Sequence, residues 1–318
     1  MIIEGFEHFV GKHCSSSAIK SAIAFDGINF SEAMVFGLAS GLGFFYLDDS
    51  KLPSRKFNGR APDLEGNFYK LIGQELSWAK SWDLGLIKNS LNNNRPIIAQ
   101  TDIFPIPYYD DVHFIGHGLL VVGYKEDHLI VADIASSDLL EMPITSFKKA
   151  ISEDHYPLLS AYSYAQLPVI KSIDIEALLP RAIKKTCLYM LEPPSAKEGL
   201  SGLQFMSEDI VNWSKQKDAA FITRFGYQAV EKRGTGGGGF RLIYSDFLEQ
   251  ASTYLKINAS VIDGFKESAR LWTVFARELK KAAFAKQNQR KAILIDTVPI
   301  LNNIERLEKT LFLELLDS

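Results

Sequence analysis

Residues 117–133 read HGLLVVGYKEDHLIVAD, and the fold expected for the first half of the chain follows from this stretch. Two apolar runs flank the turn-like segment GYKED, which predicts a β-hairpin with its loop near residues 125–127. Because side chains alternate along a strand with a period of two, Asp133 is expected opposite residues 117–119, on the face that carries His117. The Cβ atoms of two directly opposed residues lie about 5 Å apart. The pattern therefore predicts a hydrogen bond between His117 and Asp133 at the open end of the hairpin.

The remaining elements indicate an α+β chain whose second domain is all helical. Apolar spacing predicts helices at 15–24, 31–38 (with Ser31 as N-cap), 65–81 and 83–92, and strands at 41–49, 96–102, 118–124, 128–133 and 158–164. Amphipathic helices are predicted at 174–191, 199–216, 218–232, 240–256, 260–285 and 290–316. The composition changes after about residue 166, so two domains are expected, 1–168 and 169–318.

Composition narrows the class of protein. A net charge of −3 gives no basic surplus that would indicate nucleic acid or an anionic membrane as a partner. The chain has no apolar run of about 18 residues, as a membrane span requires, and no signal-peptide pattern. Its two cysteines, Cys14 and Cys187, indicate a reducing compartment. The expected location is therefore cytoplasmic.

Cys14 stands directly before SSSAIKSAIA, at the expected start of a helix. The partial positive charge of a helix N-terminus favours the thiolate, which is the nucleophilic form of cysteine. The alternative for Cys14 is a small buried apolar residue, the usual fate of a free cysteine. Cys187 lies within KKTCLYML, where no polar group is near in the sequence, and we interpret it as a core residue.

Cys14, His117 and Asp133 together form a candidate nucleophile, base and orienting acid. Papain-like enzymes use the same chain order, with cysteine on a helix and then histidine and Asn/Asp on strands. Alternatively, His117 is an ordinary core or surface histidine and Asp133 ends a strand. Other histidines are weaker candidates: His113 is the main competitor, and His13, His128 and His155 stand in less suitable contexts.

His8 precedes Cys14 by six residues, the spacing at which papain-like enzymes carry a glutamine that donates to the oxyanion. An imidazole N–H could supply the same donor, with the backbone N–H of Cys14 as the second. An exposed loop histidine is the alternative.

Residues 231–248, EKRGTGGGGFRLIYSDFL, carry a glycine-rich loop at 234–239 before a predicted helix. No Lys-Ser/Thr follows the last glycine, so the stretch is not a P-loop. The loop is either a flexible linker or a site where backbone donors of Gly236 and Gly237, with Arg241, meet a carboxylate or phosphate.

The stretches GKHCSSSAIKSAIAFDGINFSEAMVFGLASGLGFFY and VHFIGHGLLVVGYKEDHLIVAD resemble the N-terminal domain of the butirosin biosynthesis protein H family. EKRGTGGGGFRLIYSDFLEQA resembles the helical C-terminal domain that accompanies it. The resemblance implies a papain-like cysteine-peptidase fold for the N-terminal domain, similar to the peptidases that trim bacteriocin leaders. The family's cysteine, histidine and acid match Cys14, His117 and Asp133. Glu32, in SEAM, and Arg241, in the GTGG-FR motif, become candidates for binding substrate or holding the fold.

The namesake of that family transfers an acyl group from an acyl carrier protein thioester to an aminoglycoside amine. The resemblance thus implies an acyltransferase acting on a carrier protein and a small-molecule amine in a biosynthetic pathway. Two alternatives remain: a papain-like thiol hydrolase or peptidase, and a non-catalytic binding module. No metal site is predicted, and no cofactor beyond a phosphopantetheine arm on the partner. The sequence leaves open a homo-oligomer formed through the helical half.

Overall fold

The computed structural model describes residues 1–49, 52–110, 112–154 and 160–317. They form a mixed α/β protein, 52% helical and 14% strand, with a helical C-terminal region. The chain divides into two compact units, the first comprising Met1–Val35 and Leu64–Asp174 and the second Phe36–Asp63 and Ile175–Ser318.

The regular elements follow in chain order. The helices are α1 (Cys14–Phe25), α2 (Glu32–Leu38), α3 (Leu64–Leu71), α4 (Leu84–Asn92), α5 (Ile144–Ser152), α6 (Ile175–Leu191), α7 (Gly199–Asp209), α8 (Ala219–Glu231), α9 (Arg241–Ala251), α10 (Ala259–Phe284) and α11 (Gln287–Leu316), with 3-10 segments at Ile210–Lys215 and Gly238–Phe240. The strands are β1 (Leu42–Asp48), β2 (Arg55–Arg60), β3 (Ile97–Asp102), β4 (Ile115–Lys125), β5 (His128–Ala132), β6 (Leu140–Pro143) and β7 (Tyr164–Gln166).

The first unit is built on a five-stranded antiparallel sheet of order β6-β5-β4-β3-β7. Alternate residues of its strands, including Leu119, Val121, Leu129 and Val131, enter one apolar core. Helix α1 packs on β4 and is buried around most of its circumference, since its serines and alanines are small enough for close packing.

The β4–β5 hairpin is confirmed, but its turn is tighter than predicted. Lys125 pairs with His128, so only two residues form the turn, and Glu126 takes a left-handed φ of 49°. A β-bulge then places one extra residue, Val122, in β4 between the pairs Gly123–Ile130 and Val121–Val131. Backbone bonds from residues 1–3 cover this bulge, among them Ile3 N to Val122 O at 2.9 Å.

The second unit groups β1 and β2 with the C-terminal helices. Phe44 of β1 and Phe57 of β2 pack against Trp272 of α10 with ring centroids 5.9 and 6.1 Å apart, and Phe57 also meets Trp213. The predicted division at 168/169 differs from this arrangement in two ways: residues 36–63 join the helices, and the break falls at 174/175. Aromatic packing between segments distant in sequence decides the grouping.

The predicted helix at 65–81 ends early, at Leu71. Gly73 adopts a left-handed φ of 76°, and Gln74 N bonds back to Tyr69 O at 2.9 Å, which closes the helix. Strands β2 and β6 and helix α5 were not predicted, because they are short and partly polar. Of the predictions at residues 155–159, His155 lies outside the described residues, as does part of the strand expected at 158–164.

Candidate active site

Cys14 is the first residue of α1, and 5% of it is exposed. His13 is the N-cap, and its Nδ1 accepts a hydrogen bond from Ser16 N at 3.3 Å. The prediction that Cys14 lies at a helix N-terminus is therefore confirmed. At that end the helix dipole stabilises a negative charge on sulfur. Ser15 Oγ lies 3.9 Å from the Cys14 Sγ.

His117 lies on β4 between two glycines that serve different purposes. Gly116, with a φ of 83°, is the extra residue in a second bulge, because Thr101 pairs with His117 while Asp102 pairs with Ile115. Gly118 lets α1 approach the strand: a Cβ there would lie 2.8 Å from Ser15 Oγ. The two glycines thus orient the imidazole and bring the start of α1 beside it.

Asp133 directly follows β5 and completes the predicted contact with His117. His117 Nε2 lies 3.0 Å from both carboxylate oxygens of Asp133. The ring of His117 also hydrogen bonds Cys14. Because Nε2 faces the carboxylate, Nδ1 is the ring nitrogen left to meet the sulfur. Asp133, His117 and Cys14 are thus joined in one hydrogen-bonded series.

Two tyrosines that sequence reasoning missed also bind Asp133. Tyr108 Oη donates to Oδ2 at 3.0 Å, and Tyr109 Oη donates to Oδ1 at 2.7 Å. Ala135 N donates to Oδ1 at 3.1 Å. Both tyrosines stand in the connection between β3 and β4, where no spacing rule singles them out. The one sequence signal that could have indicated these residues is the pair of adjacent tyrosines upstream of His117.

The electrostatics of the site favour a protonated His117. Burial lowers the pKa of the imidazole, but the charge on Cys14 and the hydrogen bond and charge of Asp133 outweigh burial and raise the pKa to about 10. For Asp133, burial raises the pKa, but the hydrogen bonds and charge of His117, with Tyr109 and the backbone of Ala135, hold it below its ordinary value. The arrangement is therefore suited to an imidazolium paired with a thiolate.

His8, the predicted oxyanion donor, has other partners in the structure. Its Nε2 lies 3.0 Å from the carbonyl oxygens of both Asp133 and Ser136. Carbonyl oxygens only accept, so the N–H of Nε2 is directed at the backbone of the Asp133 segment. His8 therefore supports the loop that follows Asp133, and its role as an oxyanion donor remains a prediction.

Glu32, a predicted substrate-binding residue, instead holds the entry to α1. Its carboxylate accepts from the backbone N–H groups of Lys12, at 2.9 and 3.0 Å, and His13, at 2.7 Å. It also accepts from the hydroxyls of Ser16 and Ser17, at 3.1 and 3.2 Å. Through these contacts the carboxylate of Glu32 accepts hydrogen bonds from the protein itself and fixes the residues that precede Cys14.

Arg241, another predicted substrate-binding residue, is fully buried and bound within the second unit. Its Nε and Nη2 each donate to Glu308 at 2.8 Å, a bidentate ion pair. Its Nη1 donates to backbone carbonyls, of Gly239 at 2.8 Å and Gly59 at 3.0 Å. The guanidinium is thus engaged in hydrogen bonds within the protein. This corrects the prediction that Arg241 binds substrate.

The glycine-rich loop is shaped by left-handed backbone. Gly236 and Gly237 have φ of 69° and 93°, and the left-handed run continues to Phe240, at 72°. A Cβ at Gly238 would lie 2.6 Å from the Cβ of Ala269. Glycine is therefore required for conformation and for close packing. A role for Gly236 and Gly237 in binding substrate remains a prediction.

The other predicted histidines have separate partners. His113 Nδ1 lies 2.5 Å from Asp102 Oδ2, and its ring stacks on Phe104 at 4.3 Å between centroids. His128 bonds Asp127 at the surface. Within the described ranges, His/Cys/Asp/Glu side chains form no group of three or more that could hold a metal ion. None of the helices described there is both long and apolar enough to cross a membrane.

Comparison with known families gives two matches. The model described as Butirosin biosynthesis protein H, N-terminal, matches residues 13–134, which include Cys14, His117 and Asp133. The model described as Domain of unknown function (DUF4872) matches residues 145–315, which include the glycine-rich loop and Arg241. Comparison with curated proteins yields no match.

Proposed function

The chain belongs to the family of proteins related to butirosin biosynthesis protein H, and we propose that it is a cysteine-dependent acyltransferase whose first unit is papain-like. The family supports a role related to butirosin biosynthesis. The observation that carries the proposed chemistry is the hydrogen-bonded series from Asp133 through His117 to Cys14. In this proposal the acyl group moves from a carrier-protein thioester to Cys14 and then to an amine.

The first step forms an acyl-enzyme. The thiolate of Cys14 attacks the thioester carbonyl, and the negative charge that develops on oxygen is stabilised by N–H groups of the first turn of α1. The bond from carbon to the donor sulfur then breaks. The departing thiol takes the proton from the His117 imidazolium, which leaves His117 neutral.

The second step transfers the acyl group to nitrogen. A neutral amine attacks the acyl-enzyme, and His117 accepts a proton from the attacking nitrogen. The bond between carbon and Cys14 Sγ breaks, and sulfur departs as thiolate. The thiolate–imidazolium pair is restored, so proton and charge balance over the cycle. Asp133 keeps Nε2 protonated and Nδ1 directed at sulfur throughout.

The proposal implies an acyl carrier protein as donor and a small amine as acceptor, with no cofactor held by this chain. Both cysteines are free thiols, and a reducing compartment such as the cytoplasm would keep Cys14 active. Cys187 stays out of the chemistry because it is fully buried, and burial raises its pKa to about 12.

The test is the pH dependence of Cys14 alkylation by iodoacetamide in a Cys187→Ala background. We expect fast reaction well below about pH 8.5, the value for a free thiol, because His117 stays protonated until the pH approaches about 10. The contribution of the His117 proton to stability is complete below about pH 6.5 and is lost as the pH rises through about 10. In His117→Ala, Cys14 should react like an ordinary thiol.

His128→Ala is the matched control, since it removes from the same unit a histidine whose ring bonds an exposed aspartate, Asp127. An unchanged profile in His117→Ala would contradict the proposed base. Product analysis then distinguishes the transferase from the hydrolase. The protein is incubated with carrier-protein thioesters and a panel of amines. Acylated amine supports a transferase, whereas release of free acid regardless of amine would indicate the hydrolase.

A further inference from the structure

The carboxylate of Asp133 is unusual in how many neutral donors surround it. Besides His117, it accepts from two phenol hydroxyls and one backbone N–H, of Tyr108, Tyr109 and Ala135. The residue is 1% exposed, so water does not compensate its charge. A buried carboxylate is stable only when donors satisfy its oxygens. No lysine or arginine supplies this compensation in any ion pair of Asp133 found among the described residues.

The two tyrosines are divided between the two oxygens. Tyr108 donates a hydrogen bond to Oδ2 at 3.0 Å, and Tyr109 donates one to Oδ1 at 2.7 Å. Their hydroxyls therefore fix the rotation of the carboxylate plane as well as its position. With both oxygens 3.0 Å from His117 Nε2, the plane is held so that the imidazole N–H points between them.

Tyr109 is in addition close to the base itself. Its Oη lies 3.2 Å from His117 Nε2, and the two rings meet edge to face at 5.3 Å. Burial, the charge and hydrogen bond of Asp133, and the charge of Cys14 all raise the pKa of Tyr109 above its ordinary value. Burial and Asp133 raise the pKa of Tyr108 likewise. Both hydroxyls therefore remain neutral donors across the working range of pH.

We propose that Tyr108 and Tyr109 are positioning residues, a pair of neutral hydroxyl donors that keep Asp133 ionised and fixed against Nε2 of His117. Neutral donors suit this place because a cation beside Asp133 would oppose the positive charge on His117. Tyr109 carries the larger share, since it contacts both partners. The catalytic consequence rests on the proposed function, whereas the effect on Asp133 does not.

The experiment compares Tyr109→Phe and Tyr108→Phe in the full chain with Cys187→Ala. The first readout is Cys14 alkylation against pH. Loss of a donor raises the pKa of Asp133, so the acid limb moves to higher pH. In Tyr109→Phe we expect the acid limb to move up by about one pH unit, so that the rate is about tenfold lower on the limb itself and nearly unchanged at pH 8, as one lost hydrogen bond to a charged group implies. Tyr108→Phe should show a smaller shift in the same direction.

The second readout is the titration of the Asp133 carboxyl carbon by ¹³C NMR, which does not require a reactive Cys14. Its midpoint should rise in both variants and most in Tyr109→Phe. Tyr124→Phe is the control, because it removes a hydroxyl bond to Asn92 in the same unit. It should leave both readouts unchanged.

The outcomes separate this inference from the proposed function. A raised Asp133 midpoint together with an ordinary, unreactive Cys14 would support the tyrosine pair and overturn the acyltransferase. An unmoved midpoint in folded Tyr109→Phe would overturn the pair whatever the reactivity of Cys14. If alkylation fell equally at all pH values and the Asp133 midpoint did not move, the tyrosines would act only through packing, which would likewise overturn the inference.

Discussion

Each unit of this protein buries a charged cluster, and the two clusters are satisfied in different ways. In the second unit, Arg241 and Glu308 pair with both oxygens engaged, and burial of each is complete. Ser268 and Trp272 also donate to Glu308, at 2.6 and 3.0 Å. Arg241 lowers the pKa of Glu308 against the opposing effect of burial. Glu308 therefore stays ionised.

In the first unit, the buried cluster comprises Cys14, His117 and Asp133, and the charges on Cys14 and Asp133 raise the pKa of His117. Asp133 is saturated by fixed donors, whereas in the proposed function His117 and Cys14 share one proton. The comparison teaches that burial and charge alone do not mark an active site. A cluster is suited to chemistry when a proton can move within it, and to stability when every charge has a permanent partner.

The largest expected effect is on stability, from Arg241→Ala. This change leaves Glu308 buried without its cation, which should lower the free energy of unfolding by about 3–5 kcal/mol. Urea denaturation followed by tryptophan fluorescence measures it. Arg270→Ala, which breaks an exposed pair with Glu267, is the control and should have no measurable effect. If Arg241→Ala lowered the free energy of unfolding no more than Arg270→Ala does, the buried pair of Arg241 and Glu308 would not be the stabilising cluster described above.

An intermediate effect is expected from Glu32→Gln. The amide would turn an NH₂ group toward the N–H groups of Lys12 and His13, which now share the carboxylate. We expect a loss of about 1.5–3 kcal/mol and slower alkylation of Cys14, because the start of α1 loses its anchor. Glu7→Gln, the same change at an exposed glutamate of that unit, should leave stability and alkylation unchanged. If Glu32→Gln affected neither, its carboxylate would be free to serve a substrate.

The smallest effect is expected from Gly118→Ala. The new Cβ would lie 2.8 Å from Ser15 Oγ and 3.1 Å from Ser15 Cα, so the start of α1 must shift slightly from β4. Overpacking of this kind costs about 1 kcal/mol or somewhat more. The shift should reduce Cys14 alkylation more than it reduces stability. Gly85→Ala on α4, where the new Cβ would lie 3.1 Å from Asp83 Oδ1, is measured alongside and should leave Cys14 alkylation unchanged, because α4 carries none of Cys14, His117 and Asp133.

Much of the fold could be predicted because its signals are local. Ser31 caps α2 as expected, with its Oγ accepting from Met34 N at 3.0 Å. The six helices predicted for the second unit are all present, and most begin and end within three residues of the predicted bounds, but α7 and α9 end early, at Asp209 and Ala251. Polar roles were harder to predict. Glu32 and Arg241 are residues that could bind a ligand, but the donors and acceptors that occupy them come from segments distant in sequence.

The sequence by itself determined that Cys14 starts a helix, that His117 and Asp133 flank a hairpin, and that glycines border the histidine. Tertiary structure alone decided whether these residues meet. A two-residue turn from Lys125 to His128 would, in a regular ladder, place Asp133 opposite residue 120, on the face away from His117. The bulge at Val122 shifts the register by one residue and returns Asp133 to the face of His117. Backbone pairing with residues 1–3 covers that bulge, so the alignment of His117 and Asp133 depends on contacts that local sequence does not encode.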